Sequence, residues 1–138
     1  MKNYNIKTKE IKKVTYITQD GREFETKESA YLYNSYDFMN HILENNVNSL
    51  KVDTRFFKDD VIESYKFYDK EQLDMFLYAY LDYFEVSNVK EIKEKAENRI
   101  SFPCVLCNIN DGSDGSILFF KEDLFNGLTA MISKMKNN

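Results

Sequence analysis

Hydrophobic and polar positions alternate in two distinct periods along this chain. The first run is Val14-Thr15-Tyr16-Ile17-Thr18, followed after Gln19-Asp20-Gly21 by Arg22-Glu23-Phe24-Glu25-Thr26. β-Branched and aromatic residues flank Asp20-Gly21, a pair suited to a type I′ turn, so the pattern predicts a β-hairpin. Thr26 stands where a helix N-cap belongs, with Glu28 in the first turn to meet the helix dipole. From there Leu32, Tyr36, Met39 and Leu43 recur at helical spacing, widened by Phe38 and Ile42, and predict a helix to about Asn45. Tyr33, Asn34, Asp37 and His41 fall on its opposite, wet side, so the helix should pack its apolar face on the hairpin.

The middle of the chain changes period twice. Val47 to Phe57 and Val61 to Tyr68 read as two strands separated by Lys58-Asp59-Asp60. Asp69, with Gln72 three residues on, opens a helix in the manner of a capping box. Leu73, Phe76, Leu77, Tyr80, Leu81 and Phe84 give it a nearly unbroken i, i+3, i+4, i+7 stripe. A shorter helix follows, capped by Ser87 or Asn88 and burying Val89, Ile92 and Ala96. Phe102 to Ile109 predicts a strand that Pro103 places at an edge or entry position. Ile117 to Phe120 pairs back with it across Asp111-Gly112-Ser113-Asp114-Gly115. The last pattern, Leu124, Leu128, Met131, Ile132 and Met135, predicts a helix from about Glu122 to Met135.

Both ends thus read as strand, Asp-Gly turn, strand and helix. The fold class that follows is α+β: an antiparallel sheet built from two terminal ββα units, with helices packed on it and an α-rich middle. The 138 residues suit one domain spanning 1–138, with 1–12 a flexible basic start.

Charge refines this picture. The net charge is −4, but residues 1–13 hold five lysines against Glu10, while residues 63–97 hold nine carboxylates against five lysines. No apolar run approaches the ~20 residues that cross a bilayer, and Met1 to Ile6 lacks the apolar stretch of a signal peptide. Two cysteines in a chain of this length do not make a disulfide scaffold, which agrees with a reducing cytoplasm.

Candidate chemistry is mostly eliminated by spacing. Cys104 and Cys107 form a C-x-x-C, but zinc needs two more ligands, and a strand turns positions three apart to opposite faces. Asn110 to Gly115 resembles a calcium loop, yet position three would be Gly112 and position twelve Lys121 instead of a bidentate Glu. His41 is the single histidine, with Asp37 four residues earlier as its possible partner and no placeable nucleophile beside it. Neither G-x-x-x-x-G-K-[ST] nor G-x-G-x-x-G occurs, and Asp59-Asp60 reads as a solvated pair. The expectation is therefore no enzyme, no catalytic residue, no metal and no cofactor, the alternative being an enzyme whose chemistry none of these signatures detects.

Two surfaces could bind instead. Opposite the core stripe of the 69–84 helix, Glu71, Met75, Tyr78 and Asp82 share an outward strip, with Asp74 and Glu85 beside it. Tyr and Met are enriched at interfaces, and a purely solvated face does not need them. The other candidate gathers Tyr65, Phe67 and Tyr68 with Arg55 and Lys58. Aromatics between cations can hold single-stranded nucleic acid, but a pI of about 5.1 weighs against phosphate affinity. The carboxylates of the middle region could conversely imitate phosphates and enter a basic groove. Alternatively, a dimer interface lined by Arg55, Arg99, Tyr65 and Tyr68 could sequester a nucleotide signal.

The stretch from Tyr16 to Ala30, a hairpin running directly into a helix, resembles the opening of small accessory proteins of bacteriophages and mobile elements. Composition rich in Asn, Lys and Tyr is similar to low-GC bacterial coding. The resemblance implies an anti-defence protein in a bacterial cytoplasm, such as an anti-CRISPR inhibitor. It would bind a host protein or ribonucleoprotein complex stoichiometrically, without membrane or direct nucleic-acid binding.

Overall fold

The computed structural model describes residues 12–45, 49–52, 60–110 and 115–123. Its elements run β1 (Tyr16–Ile17), β2 (Glu23–Phe24), α1 (Lys27–Asn45), β3 (Ser49–Val52), β4 (Asp60–Phe67), α2 (Lys70–Tyr83), α3 (Val89–Glu97), β5 (Cys104–Asn110) and β6 (Ser116–Phe120). A single 3-10 turn, Lys121–Asp123, follows β6. The α+β class holds. None of the described helices is long and apolar enough to cross a membrane.

The sheet is assembled differently from the expectation of two equivalent terminal units. β3, β4, β5 and β6 form one antiparallel sheet in that order, whereas β1 and β2 form a separate two-stranded ribbon. The predicted middle strands therefore build half of the main sheet. The ribbon is short and meets α1 at Tyr33, which packs on Phe24, while α1 lies chiefly against α2. Of the terminal helix expected from about Glu122 to Met135, Glu122 and Asp123 lie in the 3-10 turn, and the rest lies outside the described residues.

The ribbon's turn also differs. Gly21 N–H donates to Thr18 O and Thr18 N–H to Arg22 O, which encloses three residues, Gln19 to Gly21. Gly21 has φ +88°, the left-handed residue of a G1 bulge, so the loop is a three-residue connection and not a two-residue I′ turn. Aspartate in the middle was legible as a turn residue; the loop length was not.

Caps set the helix starts as expected at two sites. Thr26 Oγ1 accepts from Ser29 N–H at 3.1 Å at the head of α1. Asp69 Oδ1 accepts from Gln72 N–H at 2.8 Å at the head of α2, and Gln72 Oε1 reaches back to Tyr68 N–H at 2.9 Å. At α3 Asn88 occupies the cap position as expected, but its side chain makes no cap bond. Its amide is spent elsewhere: Nδ2 donates to Leu118 O at 2.6 Å, and Oδ1 accepts from Leu118 N–H at 3.1 Å.

That side chain completes an edge. Ser116 N–H donates to Glu85 O, Ser87 N–H donates to Ser116 O, and Val86 makes a parallel bridge to Ser116. Residues 85–88 thus lie along β6, and the asparagine amide supplies the last pair of bonds that a peptide group would have made. Backbone groups of an edge strand need such partners. Here the connection between two helices provides them.

The core occupies one face of the sheet. Tyr65, Phe67, Cys104, Leu106, Leu118 and Phe120 point from the strands into a cluster with Met39 of α1, Leu73, Phe76, Leu77 and Tyr80 of α2, and Ile92 and Ala96 of α3. The other face carries its own buried cluster of Ile62, Cys107, Ile109 and Phe119. Phe76 is fully buried at the centre of the first cluster. Its ring lies 4.9 Å from Phe67, 5.0 Å from Tyr65 and 5.3 Å from Tyr80.

Phe76→Ala should cost about 3–5 kcal/mol, since it removes a large ring from a site enclosed on all sides. Asn88→Ala should cost about 1–3 kcal/mol, by leaving both backbone groups of Leu118 unpaired. Urea unfolding of each variant checks both values.

Candidate interaction surface

The strip predicted on α2 is brought together only in part. Glu71 and Met75 turn toward α1 and the ribbon, where they line a hollow of about 580 Å³ with Asp20, Asp37, Phe38 and His41. Asp74, Tyr78 and Asp82 turn the other way, onto a cleft of about 530 Å³ between α2 and α3 floored by Leu77, Leu81, Val89 and Ala96. α2 is therefore a ridge between two depressions. Glu85 belongs to neither, because it lies beyond the helix in the segment zipped to β6.

Burial decides what the ridge presents. Tyr78 is 45% exposed, so its ring is not absorbed by a neighbouring element, while Met75 is half-buried. Tyr31 of α1 meets Tyr78 edge-on at 5.0 Å and is itself 37% exposed. Tyr83, 68% exposed, stands edge-on to Tyr36 at 6.3 Å and 90°. Of the eight large apolar side chains exposed among the described residues, Tyr31, Tyr78, Tyr83 and Phe84 all lie on α1 and at the end of α2. Sequence spacing found Tyr78 alone. It put Tyr36 in the buried stripe of α1, and only the packing of α1 on α2 reveals the α1 tyrosines as part of the same surface.

Carboxylates on this surface are tied to phenols. Tyr36 O–H donates to Asp82 Oδ2 at 2.5 Å, and Tyr33 O–H donates to Asp20 Oδ2 at 2.5 Å. The bond to Asp82 pushes the Tyr36 phenol up to about 12, since ionising it would set two anions side by side. Asp20 is held below the usual carboxylate range, first by the Thr18 hydroxyl and then by Tyr33. Burial, with Asp74 close by, pushes the Tyr31 phenol up.

Cations are sparse here. Lys70 donates to Ala96 O at 2.8 Å and pairs with Asp74 at 3.4 Å, which staples the start of α2 to the end of α3. Lys93 and Glu97 complete the charged rim of the cleft. The hollow on the other side has three carboxylates and no lysine or arginine among its described lining residues.

The residues of the alternative ligand site do not converge. Arg55 lies outside the described residues. Tyr65 is buried in the core and donates to Glu63 Oε2 at 2.6 Å. Tyr68 is exposed at the end of β4 beneath Lys66. Arg99 sits over the Phe120 ring at 4.4 Å and is bonded to Ser101 O and Glu122, contacts that include neither Tyr65 nor Tyr68.

The two thiols occupy opposite faces of β5, Cys104 in the first cluster and Cys107 in the second. They cannot chelate one ion together. Burial pushes both thiols up, Cys107 to about 11, away from the nucleophilic thiolate. His41 is exposed, and its Nδ1 faces the Asn45 amide at 3.2 Å, not Asp37. Among the described residues no group of three or more His, Cys, Asp or Glu side chains is placed to hold a metal ion. No family model, curated protein or solved structure matches the chain.

The Tyr36–Asp82 bond fixes the sign of an alkaline effect. A phenol raised from 10.0 to about 12 contributes stability that is fully present below pH 10 and is lost as pH rises through about 12. Tyrosinate absorbance followed to high pH should show one phenol titrating near 12 that is missing in Tyr36→Phe. In Asp82→Asn, which keeps an acceptor but removes the charge, that phenol should titrate earlier.

Proposed function

We propose that this chain is a non-enzymatic binding protein, a phage-encoded inhibitor of a bacterial defence complex of the anti-CRISPR kind, acting by protein–protein contact through the α2 ridge. One observation carries the reading. Four of the eight large apolar side chains exposed among the described residues, Tyr31, Tyr78, Tyr83 and Phe84, lie on α1 or on and just beyond α2, and Tyr78 shares a cleft with Asp74 and Asp82. Exposed aromatics clustered with fixed charges suit a partner surface better than they suit water.

The chemistry of the ridge narrows the mode. Tyrosine gives large contact area at little cost in rotamer entropy, and ordered carboxylates offer negative charge at fixed positions. Such a face fits a basic groove that normally holds nucleic acid, so inhibition would come partly from acidic mimicry of phosphates. The distribution of charge agrees with this, since the carboxylates of the ridge outnumber its lysines and Lys70 is already engaged.

The test is plating efficiency of a phage targeted by a nuclease-based defence system, in hosts expressing the protein. Wild type should restore plating, whereas the double variant Glu71→Lys, Tyr78→Ala should lose at least roughly tenfold of that effect, the weight of one interface anchor. The variant's melting temperature should stay close to wild type, because both side chains are exposed. Equal plating with wild type and with an empty vector, across systems, would remove the inhibitor reading.

A further inference from the structure

The ribbon contains an arrangement that α1 and α2 repeat with one component missing. At the ribbon, the Tyr33 phenol is bonded to Asp20, and Phe24 packs against the Tyr33 ring at 5.4 Å. Arg22 completes the set: its guanidinium carbon lies 5.0 Å from the Tyr33 ring centroid, and its Nε is 4.0 Å from Asp20 Oδ2. An arginine is thus held between an aromatic face and a carboxylate that the phenol orients.

At the α1–α2 surface the same parts recur. The Tyr36 phenol is bonded to Asp82 at the same 2.5 Å, and a second ring, Tyr83, packs against Tyr36 at 6.3 Å. Among the described residues, however, no lysine or arginine pairs with Asp82. Lys70, on the same cleft, is spent on Ala96 O and Asp74. Tyr83 is 68% exposed, so much of its ring is open to solvent, one residue from a carboxylate that no described lysine or arginine pairs with; Lys93 lines the same cleft without bonding to it.

We propose that Asp82, Tyr36 and Tyr83 form a receptor for one arginine side chain of a partner protein's basic surface. This rests on the inhibitor reading above and names what its interface recognises. Arginine fits better than lysine for a stated reason. A planar guanidinium can stack on the Tyr83 ring while its N–H edge meets the Asp82 carboxylate, and an ammonium, compact and strongly hydrated, cannot do both. Asp82 still has acceptor sites for this role, because the phenol occupies only one lone pair of one carboxylate oxygen. The Tyr36 bond fixes the carboxylate's direction, so less rotamer freedom is lost when the guanidinium arrives.

The purified full-length protein is titrated with tetra-arginine and tetra-lysine peptides of equal charge, and backbone amide NMR shifts are followed. Tetra-arginine should move the amides of Tyr36, Asp82 and Tyr83, with affinity roughly threefold or more above tetra-lysine. Asp82→Asn, which leaves an acceptor for the Tyr36 phenol, should weaken binding roughly threefold to fivefold, the weight of an exposed ion pair. Tyr83→Ala should weaken it as well. Arg22→Ala supplies an internal control: it vacates the Tyr33–Asp20 pair, which should then respond to tetra-arginine at Asp20 and Tyr33. Peptide shifts absent from residues 36, 82 and 83, unchanged by Asp82→Asn, or equal for the two peptides would overturn the receptor. Any of these would leave the phage-plating result, and the inhibitor reading with it, standing on its own.

Discussion

Phe76 is the contact on which the arrangement of helices depends. Its ring touches Tyr65 and Phe67 of the sheet and Tyr80 of its own helix, and from these the aromatic contacts continue outward. Phe67 reaches Phe38 of α1, while Tyr80 leads through Phe84 to Tyr83 and so to Tyr36, again on α1. The chain of rings therefore begins and ends on α1 and passes through the core between. Burying such rings is the largest apolar contribution available to a chain with no tryptophan. It also explains why α1 sits chiefly on α2 and the sheet's aromatic face, and less on the ribbon that precedes it.

Polar contacts then lock what the aromatic packing places. Lys70 ties the first turn of α2 to the last carbonyls of α3, and the backbone and amide of residues 85–88 tie the α2–α3 connection to β6. The two helices are fixed at both ends relative to one another, which keeps the cleft between them open. A cleft held open this way can present Asp74, Tyr78 and Asp82 without reorganisation, the condition under which contact area becomes affinity.

Much of this was legible in the pattern of residues. The 3.6-residue stripes of α1 and α2, the caps at Thr26 and Asp69, and the outward turn of Tyr78 all follow from local spacing. So does the separation of Cys104 from Cys107, because period two alone puts them on opposite faces. What spacing could not carry was partnership between elements. The Asp20-Gly21 signal predicts a turn but not a third loop residue, and an asparagine ahead of a helix reads as a cap whether or not its amide is claimed by a distant strand. Membership of β3 and β4 in the main sheet, and of Tyr31 and Tyr36 in the surface around α2, depends on contacts across dozens of residues. Such contacts leave no mark on local periodicity.

The tyrosine–carboxylate pairs show why that loss matters for function. On a solvated face a lone aspartate is flexible and hydrated, and a lone tyrosine offers a ring and a hydroxyl that both turn freely. Bonded to each other, they become a different object. The hydroxyl is spent, and the carboxylate is held in a fixed direction. A surface built of such pairs offers negative charge and aromatic faces while withholding its phenolic donors. The proposed arginine receptor rests on that combination, which only the fold, by bringing residues 36 and 82 together, creates.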